Sequence, residues 1–95
     1  VAADAQTRYL ELYNEAPSSL MAFAAAPAGT EMFRDVALGD RPLLGGGHAV
    51  TIQLDGKEGC QRDLRSTFAD GRVLLSRGFD VCRYRSYHTA RALPR

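Results

Sequence analysis

Ninety-five residues are enough for one domain. Hydrophobic residues make up 45% of the chain, which argues against disorder across most of it, and no run of about 18 apolar residues offers a membrane-spanning helix. The formal net charge of +1 conceals an uneven spread: residues 1–40 hold two arginines against six carboxylates, and residues 70–95 hold six arginines against two aspartates. Such a split either steers an acidic partner toward one end or, more simply, lets the two ends of the chain attract each other.

Residues 1–6, VAADAQ, contain Ala3-Asp4-Ala5, an A-x-A pattern like the end of a signal peptide. A targeting segment removed near here and a short disordered Ala-rich start both fit. Either leaves a single domain over residues 7–88 and a tail at 89–95. Thr7–Asn14 predicts a strand with Arg8, Leu10 and Leu12 on one face and Tyr9, Glu11 and Tyr13 on the other. Asn14–Ser19 reads as a turn around Pro17. Ser19–Ala26 admits a helix on its alanines, but its shortness and the flanking Pro17 and Pro27 select a buried strand. Ala28–Gly47 is irregular and glycine-rich. Within it Glu31–Leu38 predicts two helical turns, capped by Thr30 and closed by Gly39.

The second half alternates more clearly. His48–Leu54 places Val50, Ile52 and Leu54 on one face, and Asp55-Gly56 turns the chain. Cys60–Phe68 places Cys60, Leu64 and Phe68 together. Asp70-Gly71 predicts a tight hairpin into Arg72–Arg77, with Val73 and Leu75 inward, and Phe79–Arg85 follows as a further strand. These four strands read as an antiparallel meander. The fold class is therefore all-β, a small antiparallel sandwich or partly closed barrel of six or seven strands.

Cys60 and Cys82 bracket the hairpin and predict a disulfide closing adjacent strand ends, a feature of oxidising compartments. Closing a loop of about 20 residues adds roughly 3 kcal/mol to a domain small enough to need it. Cys82 falls on the opposite parity from Phe79 and Val81. A bulge after Gly78, or a bond between sheets or at a strand end, resolves that; the alternative is two free buried thiols.

The strand ending at Asn14, the Leu44-Gly45-Gly46-Gly47 approach to the next strand, and the segments GCQRDLRSTFADGR and GFDVCR together resemble a group of small, uncharacterised exported proteins of Gram-negative bacteria. The resemblance spans roughly residues 8–85. It implies a signal peptide, a compact β fold and a periplasmic or secreted location. It implies no activity and no functional residue. The segment SLMAFAAAPAGTEMF and the tail YRSYHTARALPR depart from the pattern.

No serine sits in a nucleophile elbow, and the cysteines are better used in a disulfide, so an enzyme is not expected. Asp55 and Asp70 precede glycines and read as turn residues. Asp63 and Asp80 are expected to pair with Arg62, Arg65, Arg72 or Arg83. His48 and His88, with Met21 and Met32, form the alternative of a copper or zinc site, although no H-x-H or C-x-x-C spacing supports it. The glycine run lacks the Lys-Ser/Thr of a phosphate loop. The strip Arg83-Tyr84-Arg85-Ser86-Tyr87-His88 has the composition of a nucleic-acid surface, but an exported chain makes that partner unexpected. The expectation is a non-enzymatic binding module without a cofactor, with another envelope protein as partner. Its contact residues are expected to be Met32 and Phe33 of the Ala28–Gly47 loop, joined by Arg83, Tyr84, Arg85 and Tyr87. A self-associating β domain pairing through the Thr7–Asn14 edge is a further alternative.

Overall fold

The computed structural model describes residues 7–89; the A-x-A pattern and the tail beyond Thr89 lie outside the described residues. Alternating apolar residues and glycine-marked turns produce seven strands: β1 (Arg8–Asn14), β2 (Leu20–Pro27), β3 (Arg34–Val36), β4 (His48–Leu54), β5 (Gln61–Phe68), β6 (Val73–Asp80) and β7 (Ser86–His88). They form two sheets, ordered β4-β1-β7 and β3-β2-β5-β6, and no barrel closes among the described residues. All pairings are antiparallel except the short parallel contact of β7 with β1.

Period-two alternation decides which residues meet between the sheets. Leu10 and Leu12 of β1, Ile52 and Leu54 of β4 and Tyr87 of β7 face Leu20 and Phe23 of β2, Leu64 and Phe68 of β5 and Leu74 of β6. The Tyr87 ring lies 6.1 Å from that of Phe23 and meets Phe79 edge-on at 5.2 Å. Buried Asn14 ties the end of β1 to the loops. Its Nδ2 donates to the carbonyls of Ser18 at 3.0 Å and Leu43 at 2.9 Å, and its Oδ1 accepts from Ala16 N–H at 3.1 Å. The glycine run passes close by: a Cβ at Gly45 would lie 2.2 Å from the Ala16 carbonyl oxygen, so no other residue fits there without moving the backbone.

Four expectations are corrected. Glu31–Leu38 is not helical: Arg34–Val36 pairs with Ala25–Phe23 at the edge of β2, and Glu31, at φ 60°, leaves the helical region. Two isolated turns of helix are marginal in water, whereas an open sheet edge supplies partners at once. The four-strand meander does not form, because β4 pairs with β1 rather than with β5. β1 lies in the middle of its sheet and is not an edge. Finally, Val73 and Leu75 face outward while Leu74 is buried.

The last correction has a local cause. Register along β5 and β6 runs Leu64↔Ser76 and then Arg62↔Phe79, so Arg77 and Gly78 together oppose Asp63. This is a β-bulge, and Gly78 takes the positive φ of 69° within it. The extra residue inverts parity: even-numbered residues face inward before it and odd-numbered ones after it. Beyond β6 the disulfide joins Cys60 and Cys82 at a Cα–Cα distance of 5.2 Å, and Val81 N–H donates to the Cys60 carbonyl at 2.9 Å. The bond closes the open end of the hairpin, where strand parity no longer constrains it.

Candidate functional site

Chain reversal after β2 builds a hook over the outer face of the four-stranded sheet. Ala28 N–H donates to the Gln61 carbonyl at 2.9 Å, and Thr30 Oγ1 both donates to the Pro27 carbonyl and accepts from Met32 N–H. Asp63 anchors the hook. Its Oδ2 accepts from Gly29 N–H and from Arg77, each at 3.0 Å, and its Oδ1 accepts from Gly78 N–H at 3.0 Å. Arg77 reaches on to Glu31 at 2.5 Å. One buried carboxylate thus binds both the hook and the bulge of β6. The backbone donors of Gly29 and Gly78, ahead of Arg77, hold its carboxyl below the usual carboxylate range.

The hook covers part of the sheet and leaves the rest open. Ala24 and Ala26, opposite Arg65 and Asp63, are buried although they face away from the main core. The alanine run is therefore a strand covered on both faces, with side chains small enough for the returning chain to lie close. Phe33 is half-buried beneath the Arg65 guanidinium, 4.4 Å from its ring centroid. Met32, one residue earlier, is 67% exposed. Leu75 lies across from Arg65 and Val73 across from Thr67, and both are exposed on this same face. Phe33 thus lies on the sheet face that exposes Leu75 and Val73, and the cations of that face are Arg65 and Arg77, the latter bonded to Asp63 and Glu31.

The remaining expected residues lie elsewhere. Arg83, Tyr84 and Arg85 are exposed, but in the turn after β6 rather than on a strand, and Arg83 stacks over Tyr84 at 5.5 Å. Tyr87 is 3% exposed and belongs to the core, so it is not a surface contact residue. No described hydrogen bond, ion pair or ring contact joins this turn to Met32 or Phe33. His48 and His88 flank β1 opposite Asn14 and Tyr13, two consecutive residues, and therefore lie on opposite faces of the sheet. His88 stacks on Tyr13 at 4.5 Å and meets Glu15 at 3.0 Å; His48 meets the Gly45 carbonyl at 3.0 Å.

Among the described residues, Cys60, Cys82 and Asp80 are the one group of three ligand-type side chains whose donor atoms fall within 4.8 Å of one another. Both sulfurs are used in the disulfide, and Asp80 Oδ1 accepts from the N–H groups of Cys82 and Arg83 at 2.9 and 3.1 Å. The group is a clamp on the strand end. Asp80 therefore pairs with backbone, and Asp63 pairs with Arg77, rather than either with the arginines expected from the sequence. Asp55 and Asp70 are turn residues as expected, accepting from Lys57 N–H at 2.9 Å and Arg72 N–H at 3.0 Å. The lock of Glu31, Asp63 and Arg77 was not anticipated; its one sequence signal is Gly78 inside an otherwise regular strand. Comparison with protein-family models, with curated proteins and with solved structures finds no match to this chain.

Proposed function

We propose that this chain is a non-enzymatic interaction module, periplasmic or secreted, that docks another envelope protein through the outer face of the four-stranded sheet. The observation that carries this reading is the presentation of Met32. Holding Glu31, a non-glycine residue, at φ 60° costs about 1 kcal/mol or more, and the bonds of Glu31 to Arg77 and of Arg77 to Asp63 offset it. What that arrangement achieves is an exposed methionine next to Phe33 in the hook, while Leu75 and Val73 are exposed on the sheet face that Phe33 meets through Arg65. Flexible, polarisable Met suits a contact that must adapt to a partner's cleft. The disulfide and the sequence resemblance support the location.

A photo-reactive amino acid at position 32, introduced into the protein in its own cell envelope, tests the reading. One predominant crosslinked protein is expected, with its capture lost in Leu75→Asp while the melting temperature is retained. Absence of any crosslinked protein, or capture unchanged by Leu75→Asp, overturns it. A Met32→Ala change that lowers stability by more than about 1 kcal/mol without altering capture makes the hook core rather than contact.

A further inference from the structure

Among the described residues the antiparallel ladder of β1 and β4 has one side without a hydrogen-bonded partner, although β3 approaches β4 at Gln53, where Arg34, Asp35, Val36 and Gln53 line a shared cavity. Glu11 N–H donates to the Arg85 carbonyl at 2.8 Å, so the backbone of Glu11 points toward β7. Backbone direction alternates along a strand, so Leu10, Leu12 and Asn14 point toward β4 and bond Ile52, Val50 and His48. It follows that the N–H and C=O groups of Ala49, Thr51 and Gln53 point away from β1. Among the described residues no hydrogen bond reaches them, and all three residues are exposed.

Edge strands are normally blunted by charge, proline or a bulge. The edge at β6 is: Arg72 and Arg77 flank its apolar stretch, and the bulge at Arg77–Gly78 interrupts it. β4, by contrast, reads HAVTIQL over seven residues without an acidic residue, Lys, Arg or proline, and its register with β1 is unbroken.

We infer that β4 pairs antiparallel with β4 of a second copy of this chain, about a two-fold axis at Thr51. One register satisfies every outward-pointing group: Thr51 opposite Thr51, with Ala49 opposite Gln53 twice. Each of these is a bonded pair exchanging two hydrogen bonds, so roughly six form across the axis. On the outer face the register sets hydroxyl beside hydroxyl and a small residue beside a longer one. No like charges meet. His48 arrives at the end of β4 that carries Asp55, where Thr7, Ala37, Gln53 and Asp55 line an open cavity of about 350 Å³. The two three-stranded sheets thereby become one sheet of six strands, and the Met32 face stays open on each copy.

Sedimentation of the folded, oxidised protein across a concentration series tests the inference. A reversible dimer is expected. Thr51→Lys and Thr51→Glu, each placing like charges across the axis, should raise the dissociation constant roughly tenfold or more without changing the melt of dilute monomer. Mixing the two variants should restore a dimer containing one of each, because Lys then faces Glu. A chain that stays monomeric at millimolar concentration overturns the inference, as does a dimer indifferent to both variants. A monomer that takes up an unrelated extended peptide along β4 also overturns it, in favour of strand addition by another protein.

Discussion

Arg62 and Asp63 are neighbours in the chain, point to opposite faces of β5, and are each only 1% exposed. The two charges are held by different means. Arg62 extends under the three-residue 3-10 turn Gly56–Glu58, where Nε donates to the Gly59 carbonyl at 2.7 Å, Nη2 to the Asp55 carbonyl, and Nη1 lies 4.0 Å from Glu58. Burial pushes its affinity for the proton down, and Glu58 partly restores it. Asp63 is held by backbone N–H groups and Arg77, and its folded pKa lies below the unfolded value of about 3.9. The sign follows from proton uptake. Below about pH 4 the unfolded chain binds a proton that the folded chain resists, so this stabilisation is complete above that range and is lost as pH falls toward the folded value. Asp70, also depressed, by the Arg72 N–H and guanidinium, adds to the same slope. Asp63→Asn should therefore lower stability at pH 7 and flatten its fall as pH drops below about 4. Urea unfolding at a series of pH values checks this; an Asn variant with the wild-type slope would assign the acid sensitivity to other carboxylates.

Among the elements, β6 separates what periodicity reads from what it misses. Alternation identifies the strand, but the bulge at Arg77–Gly78 changes which half of it faces the core. Leu74 is 7% exposed and Leu75 is 41% exposed, the reverse of an uninterrupted strand running back from Phe79. Leu74→Ala should cost about 2–3 kcal/mol through a lost core contact and a cavity, and Leu75→Ala less than about 1 kcal/mol. Equilibrium denaturation of the two variants decides between the bulged and the regular strand. β1, β2, β4 and the hairpin turn were legible because their signals are local: alternation, flanking prolines and Asp-Gly. β3 was not. Its three residues favour neither state strongly, and a distant edge on β2 selects the strand.

At the scale of the molecule, two sheets share a core drawn from almost every strand, and one covalent bond closes the hairpin between β5 and β6. Bridged residues 22 apart restrict the unfolded chain, so replacing both cysteines with serine should cost about 3 kcal/mol and lower the melting temperature by roughly 12–24 °C. Thermal melts of the double variant measure this, and a loss under about 1 kcal/mol would mean that the sheets hold the hairpin end without the bond. The candidate surface depends on the same organisation. Phe33 lies beneath Arg65, the residue across from Leu75, in a hook that Asp63 of β5 ties to the bulge.

By itself the sequence determined the class of the fold, most of its strands and its disulfide. Those properties follow from the two-residue period of a strand, from turn residues whose backbone preferences are local, and from a cysteine count that allows one pairing. Only the tertiary structure decided that β1 lies centrally against β4 and β7, that Tyr87 is core while Met32 is surface, and that Asp63 bonds across to Gly29 and Arg77. Strand order and buried polar pairing join residues far apart in the chain. Their free energy comes from shared burial and mutual hydrogen bonding, which exist only once both partners are in place.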